Sequence, residues 1–143
     1  MSAHPAPLFA EKLAVRLVLP GPPRTKKTSN RIINIPKKGG GRGFSKILPS
    51  KAFCEWEDAV APRVAAAFRG AGGEPIEVPV NCRAMIYRDA DRGDAVGYYQ
   101  GIADLLQTAG VLADDKWIVS WDGTRLDIDR KNPRVEVLLE EVR

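Results

Sequence analysis

The run Asp94-Ala95-Val96-Gly97-Tyr98-Tyr99-Gln100-Gly101-Ile102-Ala103-Asp104-Leu105-Leu106-Gln107-Thr108-Ala109-Gly110 decides the fold. Its leading aspartate can accept from the free N–H groups of a first helical turn. Ala95, Tyr98, Tyr99, Ile102, Leu105 and Leu106 recur at helical spacing and make one apolar side, with Gly97, Gln100, Asp104 and Gln107 on the other. Gly110 supplies the stop. An amphipathic helix needs a layer on which to bury its stripe. Its flanks provide one. Upstream, Ile76, Val78 and Val80 alternate with Glu77, Pro79 and Asn81, and the run continues through Met85 to Tyr87. That is a strand, with Pro79 marking an edge or a bulge. Downstream, Trp117, Val119 and Trp121 alternate with Ile118 and Ser120, and Asp122-Gly123 signals a hairpin. A weaker strand follows at Arg125 to Asp129, and Val135 to Val142 makes the last one.

Toward the N-terminus, Leu13 to Leu19 reads as a strand stopped by Pro20, Gly21, Pro22 and Pro23. Ser50 is placed to cap a helix from about Lys51 to Arg69, where Phe53, Trp56, Val60, Val64 and Phe68 keep helical spacing. Pro62 should kink or split it. The order is strand, helix, strand, helix, then two or three strands. It predicts an α/β (α+β) protein: a single-domain mixed β-sheet packed against two main helices, spanning residues 1–143. Residues 1–10 read as a loose tail. Residues 24–49 read as a basic loop too long for a routine connection.

Composition excludes much chemistry. The only histidine, His4, lies in the tail, so no Ser-His-Asp or Cys-His pair belongs to the body. Cys54 and Cys82 make neither a disulfide framework nor a zinc site and read as reduced thiols. There is no run of ~20 apolar residues and no leader-like start, so the expectation is a cytoplasmic protein with no membrane partner.

Charge is segregated. Nine of the ten aspartates lie between Asp89 and Asp129, a stretch without glutamate. Arg24 to Lys51 holds nine Lys or Arg and no acid, so a chain of net charge +4 carries +9 there and −5 elsewhere. A basic segment attracts phosphate backbones, and clustered short carboxylates can hold divalent cations. Arg24, Lys26, Lys27, Arg31, Lys37, Lys38, Arg42 and Lys46 are the expected DNA contacts, suited to follow a backbone without reading bases. Gly39 to Gly43 is no Walker loop, since it lacks the Gly-Lys-Ser/Thr ending. Among the acids, Asp94 opens a helix and Asp115 follows it. Asp104 stands about 15 Å along that helix from Asp94 and cannot share its cation. Asp91 and Asp89 are near Asp94 in sequence, and Asp122 belongs to a turn pair.

The arrangement resembles the RusA family of Holliday junction resolvases, small dimeric phage and bacterial endonucleases. The resemblance covers roughly Leu13 to Val142. It rests on Leu19-Pro20-Gly21-Pro22-Pro23, on Arg92-Gly93-Asp94 followed by Ile102-Ala103-Asp104-Leu105-Leu106, on Ala109-Gly110-Val111 with Asp114-Asp115, and on Pro133-Arg134-Val135-Glu136-Val137. It implies a RusA-like fold and a Mg²⁺-dependent (or Mn²⁺-dependent) endonuclease acting in DNA recombination and repair. A homodimer would resolve four-way or other branched DNA by attack of a metal-activated water. Asp94 and Asp115 match the family's first and last aspartates as catalytic metal ligands, and Asp91 is the substitute for a third. Val96, Gly97 and Gln100 stand where the family has an aspartate, an asparagine and a lysine. The alternative that follows is a branched-DNA-binding protein of the same fold that cuts weakly or not at all.

Overall fold

The structure is a computed structural model and describes residues 11–26, 31–35, 39, 41, 43–48 and 50–142, with 31–35 and 44–48 described by backbone alone. Strand β4 (Val80–Arg88) is its centre. Val80, Cys82, Ala84 and Ile86 alternate inward and are wholly buried, as period-two apolar residues on a half-covered sheet should be. On one side β4 pairs antiparallel with β7 (Arg134–Glu141), which pairs antiparallel with β1 (Ala14–Pro20). On the other side it pairs parallel with β5 (Ile118–Ser120) at its start and with β6 (Arg125–Ile128) at its end. The sheet is therefore mixed, as expected. Parallel pairing of β4 with β5 needs a crossover, which α2 (Ala95–Thr108) provides.

Helix α1 (Lys51–Gly70) buries Phe53, Trp56, Val60, Val64 and Phe68, and α2 buries Tyr98, Ile102, Leu105 and Leu106. These form one core with Leu19, Val135, Val137 and Leu139 of the sheet. Each such side chain stabilises by about 1.5–3 kcal/mol relative to exposure. Among the described residues no helix covers the opposite sheet face. Arg16, Val18, Arg83, Met85, Glu136 and Leu138 line an open groove there.

Four differences from the sequence reading have physical causes. First, the basic stretch is not only loop. Strands β2 (Arg31–Ile35) and β3 (Phe44–Leu48) pair antiparallel as a separate two-stranded sheet. Their β-branched Ile32, Ile33, Ile35 and Ile47 favour a strand, a signal hidden among lysines and glycines. Second, β5 and β6 do not form a hairpin across Asp122-Gly123. Asn81 captures that turn: its Nδ2 donates to the Asp122 carbonyl (3.1 Å) and its Oδ1 accepts from the Asp122 N–H (2.8 Å). Thr124 Oγ1 donates to the Cys82 carbonyl (3.1 Å) and accepts from the Ala84 N–H (3.0 Å). The turn is thus knitted onto β4. Third, α1 runs unbroken through Pro62. Pro62 and Asp58, four residues before it, are both exposed, so the carbonyl that a proline leaves without its donor can meet water. Fourth, Ile76 makes only a bridge, with Leu112, and the strand begins at Val80. The expected tail, residues 1–10, lies outside the described residues.

Candidate nucleic-acid interface

Residues 31–48 carry Arg31, Lys37, Lys38, Arg42 and Lys46 and no acid. The ladder runs from Arg31 opposite Leu48 to Ile35 opposite Phe44. Lys27, Lys37, Lys38 and Arg42 lie outside the described residues, and Arg31 and Lys46 are described by backbone alone.

The hairpin's root is bolted to the body. The Ser50 N–H donates to the Lys26 carbonyl (3.3 Å), and its hydroxyl donates to the Thr25 carbonyl (3.2 Å) while accepting from the Phe53 N–H (3.1 Å). One serine thus caps α1 and ties the incoming and outgoing chains together. Arg24 grips both oxygens of Asp89, at 3.0 and 3.3 Å, a bidentate fork. That contact holds the Asp89 carboxyl below its ordinary range, helped by the nearby charge of Arg92. Lys26 Nζ reaches Asp104 Oδ1 at 3.4 Å. Arg24 and Lys26, expected as DNA contacts, thus each pair with an acid of the body.

Close approach of this segment explains the glycines of α2. A Cβ at Gly97 would lie 2.8 Å from Asp94 Oδ1 and 3.1 Å from Thr25 Cγ2. One at Gly101 would lie 3.0 Å from the Arg24 carbonyl oxygen. Gly97 was expected on the polar face. It is buried instead, because Thr25 packs on it.

The acids do not gather. Asp94 caps α2: its Oδ1 accepts from the Gly97 N–H at 2.8 Å. Asp91 pairs with Arg88 at 3.3 Å, supplying a counter-charge to a guanidinium that is itself nearly buried. Asp115 lies beyond the other end of α2, where its N–H donates to Gln107 Oε1 at 2.9 Å. Gln107 stands thirteen positions after Asp94, roughly 20 Å along the axis at 1.5 Å per residue. One glutamine side chain's reach does not close that gap to the ~4 Å that two ligands of one Mg²⁺ span at ~2.1 Å each. Among the described residues no three His, Cys, Asp or Glu form a group able to hold a metal. Within one chain the described residues thus do not bring Asp94, Asp115 and Asp91 into one such group. Asp114, the other member of the pair, caps the short helix Asp115–Trp117 through the Lys116 N–H (2.9 Å), which lowers its carboxyl's proton affinity.

One polar cluster escaped the sequence reading. Glu57 of α1 faces Asp104 of α2 and Lys26 of the root, and its Oε2 is shut off from solvent with no donor. The signal was there: Glu57 falls four residues after Phe53, on the apolar stripe.

The fold is that of a mixed α+β protein with a second, two-stranded sheet on its basic stretch. No protein-family model matches this chain, and no curated protein sequence matches it either. Among the described residues no helix is long and apolar enough to cross a membrane.

Proposed function

We propose that this chain binds DNA, branched forms above all, through the β2–β3 hairpin, as a RusA-like protein working as a homodimer. One observation carries the reading: an acid-free segment with five cations forms a two-stranded ribbon separate from the main sheet. Two-stranded ribbons fit DNA grooves, and cations along them neutralise phosphates. The test is gel shift or fluorescence anisotropy with a synthetic four-way junction and a matched duplex over a salt series. Salt-sensitive binding that is tighter for the junction supports the reading. Absence of binding at low salt ends it.

A second reading, Holliday junction cleavage, also has an observation in its favour. Asp94 and Asp115 sit at opposite ends of α2. Val96 of that helix and Val119 of β5 are 57% and 56% exposed, and Tyr99 of α2 stacks on Trp121 (4.5 Å). Two copies packed with their α2 helices antiparallel would bring one copy's Asp94 to the other's Asp115. Such a site would need both copies to hold one Mg²⁺. Mixing decides it. Asp94→Asn and Asp115→Asn proteins, each inactive alone, should restore junction nicking when co-refolded, because one intact pair forms per mixed dimer. No nicking by the wild-type chain with Mg²⁺ or Mn²⁺ leaves DNA binding without cleavage.

A further inference from the structure

Glu57 is an acid that the proposed function does not use, placed where two helices meet the root of the hairpin. Its neighbours on every packed element can be named. Asp104 faces it from α2, Lys26 from the root, and Asp58 adds a charge from its own helix. Lys26 Nζ lies 3.4 Å from Asp104 Oδ1 and 5.8 Å from the centre of the Phe53 ring. Glu57 Oε2 is buried and has no donor because its neighbour is another carboxylate. Two ionised carboxylates in contact repel and leave lone pairs unmatched. One added proton cures both faults: Glu57 becomes a donor to Asp104, and the single remaining negative charge is matched by Lys26.

We propose that Glu57 and Asp104 share one proton, that this proton holds the root of the basic hairpin against α1 and α2, and that loss of it weakens the hairpin's grip on DNA. The inference rests on the DNA-binding reading for its last step only. Burial chiefly, then the hydrogen bond to Asp104 and its charge, pushes the Glu57 carboxyl up to about 8, against the pull of Lys26. The shared proton is therefore present at neutral pH and lost just above it. Without it, Lys26 faces two carboxylates instead of one. The seam between α1 and α2 loosens, and the root carries an extra negative charge.

The test compares the wild-type chain with Glu57→Gln, which keeps a donor toward Asp104 and never ionises. Hydrogen exchange of the segment 24–50 is followed by mass spectrometry at pH 6.5 and pH 9, always between the two proteins at the same pH. Any other group titrating in that range is common to both and cancels. The two should exchange alike at pH 6.5, and the wild-type root should exchange several-fold faster at pH 9. Junction affinity of the wild-type chain should fall by about fivefold more than that of the variant across the same range, the effect of roughly 1 kcal/mol. Identical exchange at pH 9 overturns the proposal. Asp104→Asn provides a second route. It leaves one carboxylate, Glu57, to face Lys26 and puts an amide donor beside it, so at each pH its root should exchange like that of Glu57→Gln. Exchange at pH 9 as fast as that of the wild-type chain would refute the shared proton. If neither protein binds DNA at any pH, the functional reading falls, while the exchange data still decide the shared proton.

Discussion

Asp94 shows how one side chain can serve structure and invite a functional reading at once. Its carboxylate accepts from Gly97 N–H at the head of α2, where negative charge also meets the positive end of the helix. Asparagine caps nearly as well as aspartate, whereas alanine loses the bond. Asp94→Asn should therefore melt within a few tenths of a kcal/mol of the wild-type chain, and Asp94→Ala should lose about 1 kcal/mol, as thermal unfolding will show. Any loss of nicking in the asparagine variant can then be charged to chemistry. Glu57 makes a pH prediction whose sign follows from linkage. Unfolded, its carboxyl titrates near 4.5; folded, near 8. Between those values the folded chain keeps a proton that the unfolded chain has released, so stability is full below about 4.5 and falls as pH climbs through 8. Glu57 is partly exposed, so solvent screening trims the effect. Melting temperatures of Glu57→Gln should decline less from pH 5 to 8.5 than those of the wild-type chain. Parallel declines would mean that Glu57 ionises freely in the fold.

At the scale of elements, α1, α2 and the strands β1, β4 and β7 were legible because each carries a clean period and a stop. Ser50 and Asp94 cap as their positions suggested. The hairpin was not legible, since its isoleucines alternate with nothing and sit among lysines, glycines and prolines. The pairing of β5 and β6 was not legible either. Asp122-Gly123 is a turn signal in any sequence, and Asn81, forty-one positions upstream, together with Thr124 docks the turn on β4. The separation of Asp94 from Asp115 was legible, since they flank one helix and a helix keeps its ends apart. Gly97 belongs to this scale too. It reads as a weak point in a helix, yet it lets the root of the hairpin approach α2. Gly97→Ala gains helix propensity of about 1 kcal/mol but drives a methyl into the cap oxygen and Thr25, a clash worth about 1–3 kcal/mol. A net loss of about 1 kcal/mol is expected in denaturant unfolding. Gln100→Ala, exposed on the same helix, should be neutral. Equal behaviour of the two would show that Thr25 does not press on α2.

The whole molecule separates its charges by position. Acids of the 89–104 region bind the arginine and lysine at the hairpin's base, through Arg24–Asp89 and Lys26–Asp104, and Arg31, Lys37, Lys38, Arg42 and Lys46 lie further along the same acid-free stretch. The most direct measurement is the salt dependence of four-way-junction affinity for the wild-type chain and for Lys37→Gln/Lys38→Gln/Arg42→Gln. If the wild-type chain neutralises about six phosphates, log affinity should fall with log salt at a slope near −5. The triple variant should lose up to about 2.7 from that slope without a change in melting temperature. An unchanged slope, or a flat response in the wild-type chain, would contradict the claim that the hairpin grips DNA.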